Sequence, residues 1–168
     1  MIHVDLRENV TRLEIEHVTV STERPFADVT ERLEARTGVF DRSVVEAHVQ
    51  EGAPAAALAA IEGMSGASGF MRFAALDHGA ILRMRGQAAQ AIRYLLGHPL
   101  IAARMTARQL ATGLYAPVSL LVAAAPGGTR VEYDRPSSLL RAFGDEEVTR
   151  VALDLDVKLG ALVRAVAG

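Results

Sequence analysis

Two of the five histidines in this cysteine-free chain stand where an imidazole could move a proton. His78 lies in Asp77-His78-Gly79, where a carboxylate is placed to orient it. His98 lies in Gly97-His98-Pro99, at the expected start of a helix. A helix N-terminus is partially positive, which disfavours protonation and keeps an imidazole neutral, available as a base or hydrogen-bond donor. Tyr115, in Gly113-Leu114-Tyr115-Ala116-Pro117, supplies a hydroxyl donor. Arg104 and Arg108 share one helix face a turn apart, and Asp134-Arg135 adds a further charged pair. Such groups suit a cofactor-independent acid–base enzyme of isomerase, lyase or cyclase type. In that reading His78, His98 and Tyr115 are catalytic, and Asp77, Arg104, Asp134 and Arg135 bind a small organic substrate, anionic or neutral.

Each of these residues also has a structural reading. His98 is a tolerated, poorer cap at a partly exposed turn, where losing a good cap altogether costs about 1 kcal/mol. Asp77-His78-Gly79 is turn chemistry, with Asp bonding the backbone and Gly supplying the dihedral. Arg104 and Arg108 pair with acids such as Asp134 or Glu132 rather than with a ligand. Tyr115 finds a partner for its hydroxyl in the interior. His3, His17 and His48 have no comparable context and are expected at the surface or in strands.

Other chemistries are excluded or unsupported. Without cysteine there are no disulfides, thiolate metal sites or cysteine nucleophiles. Asp77, His78 and His98 have no spacing that fixes two ligands on one element, so no metal is expected. Ser137 and Ser138 lack a nucleophile-elbow context, and Gly63, Gly66 and Gly69 fit no phosphate-binding turn. The net charge of −2, with arginines spread along the chain and Lys158 the one lysine, gives no basis for nucleic-acid or anionic-membrane binding. Charges occupy the first eight residues, where a signal peptide needs an apolar run. The longest apolar runs, near 53–61 and 120–125, fall far short of the roughly 20 residues that span a bilayer. A cytoplasmic protein is expected.

The elements that must position these residues follow from periodicity. At 168 residues, half of them apolar, the chain is expected to form one domain over 1–168. Residues 12–21 alternate as a strand; Pro25, then Phe26, Val29 and Leu33, predict a helix ended by Gly38. Short helices are predicted over 41–50 and 54–62. Residues 70–76 and 80–85 read as two strands joined by the Asp77-His78-Gly79 turn. Residues 87–96 suit helix or strand. A helix over 99–112, a hairpin of 118–124 and 129–133 across Pro126-Gly127-Gly128, and a last helix capped by Asp145 complete the chain. In that last helix positions 148, 151, 155, 159, 162, 163 and 166 form the apolar face, with Lys158 and Arg164 late, as the dipole prefers. The class is α+β: a mostly antiparallel sheet with helices packed on one face.

Ser68-Gly69-Phe70-Met71-Arg72-Phe73, Asp77-His78-Gly79-Ala80, Tyr94 through Ala102, Gly113 through Pro117 and Tyr133-Asp134-Arg135-Pro136-Ser137-Ser138 occur in an order that resembles the family of domain of unknown function 302, over about residues 13–166. The resemblance implies an architecture like a single copy of the TATA-binding-protein fold, commonly homodimeric, and a strand at 91–96. It implies no established reaction. The family usually has Asn where this chain has His98, and often Arg-His-Asp where it has Ala107-Arg108-Gln109. The reading drawn from it is a homodimeric small-molecule-binding protein, with no cofactor. Its pocket is expected where the Asp77-His78-Gly79 turn, the His98 turn and the Tyr115 strand start meet.

Overall fold

A computed structural model describes residues 6–168. Its centre is one six-stranded sheet in the order β1-β6-β5-β4-β3-β2. The strands are β1 His17–Thr22, β2 Gly38–Val39, β3 Met71–Asp77, β4 Ala91–Gly97, β5 Val118–Ala125 and β6 Gly128–Asp134. Only the β2–β3 pair is parallel. The helices are α1 Phe26–Arg36, α2 Arg42–Gln50, α3 Pro54–Gly63, α4 Gly79–Met84, α5 Pro99–Thr106, α6 Pro136–Leu140 and α7 Glu146–Ala167, and the class is α+β.

Paired residues in an antiparallel ladder share a face, so the register sorts the sheet's side chains. Val18, Tyr133, Leu120 and Tyr94 follow one another across four strands, as do Val20, Val131, Val122 and Ile92. This face is buried, and it packs on α1 and α7. Helix α7 buries all seven apolar positions expected of it, and Ala152 besides. Its N-cap is Asp145, whose carboxylate accepts from the Glu147 and Val148 N–H groups at 2.9 and 3.0 Å. Backbone bonding to Val148 holds that carboxyl below its usual range, and Arg108 lowers it further.

Four expectations change. The stretch after Gly79 is helix α4 rather than a strand, and the antiparallel partner of β3 is β4. Its apolar residues Ala80, Ile81, Leu82 and Met84 do not alternate, and Arg83 reaches back past the start of the helix to Asp77. The ambiguous 87–96 segment contains strand β4, as the resemblance implied. The helix from Pro99 stops at Thr106, and a separate 3₁₀ segment follows over Leu110–Tyr115. Strand β1 starts at His17 rather than residue 12, because its partner β6 ends at Asp134. The Arg135 N–H still bonds the Glu16 carbonyl at 2.9 Å, but Pro136 has no N–H to continue the ladder. Gly38 does not end α1 in a left-handed turn; Thr37 is the C-cap, and Gly38 opens β2. Glycine is needed there because a Cβ would strike the Met64 carbonyl oxygen.

Candidate functional site

The register of β3 with β4 decides which candidate residues can meet. Met71 pairs with Gly97 at one end of the hairpin and Asp77 pairs with Ile92 at the other. His98 follows Gly97 and His78 follows Asp77, so the two imidazoles lie at opposite ends of a seven-residue strand. At about 3.3 Å per residue that is a separation of roughly 20 Å. The shared pocket expected from three turns therefore does not form within one chain, and His78 and His98 cannot act as acid and base on one substrate atom there.

The Asp77-His78-Gly79 end is a structural clasp. Asp77 grips Arg83 at 2.6 Å, and the same guanidinium donates to the Ala89 carbonyl at 2.8 Å. The bond from Arg83 holds the Asp77 carboxyl below its usual range, helped by the Ala80 and Gly79 N–H groups. A Cβ on Gly79 would lie 2.6 Å from the Ala89 carbonyl oxygen, so only glycine allows the loop to close over α4. The His78 side chain is exposed and makes no hydrogen bond among the described residues.

The charged candidates are engaged by other side chains. Arg104 reaches Glu147 at 2.8 Å and Arg108 reaches Asp145 at 3.1 Å, so both hold α5 and the residues after it to the start of α7. The acids differ from the expected Glu132 and Asp134. Asp134 instead bonds His17 Nδ1 at 2.8 Å, on the sheet face away from α7, and that bond raises the His17 pKa. Arg135 and Arg141 both hold Glu16, at 2.9 and 2.8 Å. His48 stands beside Glu51 at 3.5 Å, and His3 lies outside the described residues.

His98 and Tyr115 do come together, on a cavity of 230 Å³ between α5, α7 and the adjoining ends of β4 and β5. Its wall is hydrocarbon apart from these two side chains. Phe40 and Phe73 form one side, stacked with centroids 4.6 Å apart. The β3–β4 register shifts between Arg72 and Ala74, and Phe73 sits at the irregularity. Such a shift re-aims a side chain that plain alternation would send elsewhere. Gly97 lets the wall close: a Cβ there would lie 3.3 Å from both Phe73 Cε2 and Pro117 Cβ. Ala102 and Met105 of α5 and Leu155 of α7 complete much of the rest.

His98 is the N-cap of α5, and its Nδ1 accepts the Leu100 N–H at 3.2 Å. The Ile101 and Ala102 N–H groups bond the His98 carbonyl at 3.0 Å, and Pro99 has no N–H, so the helix end is satisfied. Nδ1 being an acceptor, the neutral ring carries its proton on Nε2. That Nε2 has no partner among the described residues. Burial lowers the His98 pKa; Lys158 lowers it further, and Glu62 opposes them. Tyr115, a half-buried residue, meets Phe143 edge-to-face at 6.0 Å, and its hydroxyl likewise has no partner among the described residues. The expectation that packing would satisfy this hydroxyl is not met.

The sequence signalled His98 and Tyr115 but not the aromatic wall. Phe70 and Phe73 stood in the family pattern, yet nothing in their spacing shows that Phe40, from another element, stacks on Phe73. Lys158 reads as a helix-dipole residue until α7 is seen to pass the cavity. Among the described residues no cluster of three or more His, Asp or Glu side chains could hold a metal, and no helix is long and apolar enough to cross a membrane.

No curated protein matches the chain significantly. The crystal structure of an uncharacterized conserved DUF302 protein from Bacillus stearothermophilus is similar, with a TM-score of 0.62 and 21% identity over 89% of this chain and 96% of that one. That likeness is one of fold. The model of the family described as domain of unknown function DUF302 matches residues 45–166, which takes in β3 to α7 and every wall of the cavity except Phe40. The chain belongs to the DUF302 family.

Proposed function

We propose that this protein binds a small, compact, mostly apolar molecule carrying a hydrogen-bond acceptor at one end. The observation behind this reading is the pairing of two unpartnered donors, His98 Nε2–H and the Tyr115 hydroxyl, with a cavity otherwise lined by hydrocarbon. Ligand sites have this character: an apolar lining with a few polar groups that fix orientation. An apolar cavity of about 150 Å³ accepts benzene, so 230 Å³ suits one ring with a short substituent. The wall presents no charged side chain, and the ligand body is accordingly uncharged.

Acetophenone, a ring bearing one carbonyl acceptor, tests this. Titrated into labelled protein, it should shift the methyl resonances of Ala102, Met105 and Val118, which line the cavity. Ala102→Leu pushes added carbons into that space and should abolish the shifts while leaving the fold intact. Shifts absent at saturating acetophenone, or unchanged in the filled variant, would refute the reading. The homodimer implied by the family resemblance is a separate proposal: sedimentation at micromolar concentration should give twice the chain mass, and a single-chain mass would remove it.

A further inference from the structure

The cavity has a charge at its edge that its lining does not show. Lys158, the chain's one lysine, lies one helical turn beyond Leu155, whose side chain forms part of the wall. Residues three apart on a helix share a flank, so Lys158 lies on the flank of α7 that carries Leu155 to the cavity. It is exposed and has no ion pair or hydrogen bond among the described residues. Several arginines differ in this respect: Arg83, Arg104, Arg108 and Arg135 are each held by a carboxylate. Lys158 acts electrostatically on His98, so the ammonium and the unpartnered imidazole N–H serve the same region. Glu62 of α3 is the opposing charge there, and its effect on the ring is smaller than that of Lys158. The helix end itself offers an anion nothing, since its N–H groups are bonded to His98.

Resting on the reading of the cavity as a ligand site, we propose that its ligand is a small monocarboxylic acid, with the ring or branched chain among Phe73, Ala102 and Leu155 and the carboxylate held at the mouth by Lys158, His98 Nε2–H and the Tyr115 hydroxyl. A carboxylate has two oxygens to accept from all three donors at once and a charge that the ammonium attracts, whereas a neutral carbonyl has one oxygen and no charge to pair. His98 stays neutral in this arrangement, with Nδ1 on Leu100 and Nε2–H toward the ligand. An ammonium exposed to water contributes modestly, so the preference for acid over neutral analogue should be about fivefold at low salt and shrink as salt is added.

Phenylpropanoate and phenylpropanamide are the probes, measured by calorimetric titration against the full chain. The acid should bind about fivefold more tightly than the amide. Lys158→Met should erase that difference while leaving amide binding unchanged, Lys158→Arg should keep it, and Glu62→Gln should widen it. Lys158 is exposed and methionine is a good helix former, so the variant should fold, which its melting temperature will show. Equal binding of acid and amide, or a preference that survives Lys158→Met, would overturn the carboxylate inference and leave the cavity reading in place. Binding of neither probe would overturn both.

Discussion

Replacing His98 by Asn separates what the imidazole does as a cap from what it does as a titrating group. In the folded protein Nδ1 accepts the Leu100 N–H at 3.2 Å, and a protonated ring carries hydrogen on both nitrogens and cannot accept. Protonation and capping therefore exclude each other. Burial first, and Lys158 second, already hold the folded-state pKa below the ordinary 6.5. The sign follows from proton uptake. Above about pH 6.5 the ring is neutral in both states and the cap is fully present. As pH falls through 6.5 the unfolded chain binds a proton that the native chain resists, and stability is lost until pH has passed the lower native pKa. The cap is worth about 1 kcal/mol, or about 2–4 °C in melting temperature for a chain of this size. At pH 8, His98→Ala should lower the melting temperature by that amount, and His98→Asn should stay close to the parent. Between pH 8 and pH 5 the parent should lose ground to His98→Asn, because Asn caps without titrating. His17, whose raised pKa acts in the opposite direction, is present in both proteins and cancels. Calorimetric melts across that range decide the matter. Parallel pH profiles for the parent and His98→Asn would refute the capping geometry, whatever their absolute values.

Gly79→Ala should cost about 1–3 kcal/mol in chemical denaturation, since its Cβ would lie 2.6 Å from the Ala89 carbonyl oxygen, while the adjacent His78→Ala should stay within about 0.5 kcal/mol because that side chain is exposed and unbonded. If His78→Ala proved the more damaging, the clasp assigned to Asp77, Gly79 and Arg83 would be wrong. Tyr94→Phe should lose about 1.5 kcal/mol, the low end for a bond to a charged group, because Glu34, which accepts the buried hydroxyl at 2.9 Å, is itself exposed and can take up water; an unchanged denaturation midpoint would count against that bond.

What was legible in the sequence was whatever local physics decides. The α7 face, its Asp145 cap and the β5–β6 hairpin follow from 3.6-residue and two-residue periods and from turn glycines, and all three stand in the structure. The stretch after Gly79 was misread because a short apolar run has no period to separate helix from strand. What settles it is Arg83 returning to Asp77 and Ala89 closing over Gly79, contacts that no window of sequence displays. The candidate site divides in the same way. His98 stood out in the sequence as a residue that packing leaves unexplained, whereas Tyr115 had a ready explanation in a buried hydroxyl bond that the structure does not contain among the described residues. Their separation from His78 depends on the β3–β4 register, which pairs Met71 with Gly97, and on treating β4 as the partner of β3. Phe40 reaches the cavity from the end of β2, so its stacking on Phe73 is tertiary information alone.

The cavity persists for reasons that lie in residues without functional groups. Protein interiors close to crystal-like density, and an unfilled apolar space forfeits dispersion contacts on every wall. A space of 230 Å³ stays open only if its walls cannot move inward. Here Pro99 and Pro117 stiffen two of the walls, and the Phe40–Phe73 stack braces a third. Ala102 and Ala116 withhold the side-chain carbons that would fill it. Gly97 lets Phe73 and Pro117 approach closely, since a Cβ there would lie 3.3 Å from each and push them apart by a few tenths of an ångström. A larger aliphatic side chain at 102 would bury more surface by filling the space, so alanine there gives up stability that was within easy reach. On the proposed reading a ligand supplies the missing volume, and that reading rests as much on Gly97, Ala102 and Ala116 as on His98 and Tyr115.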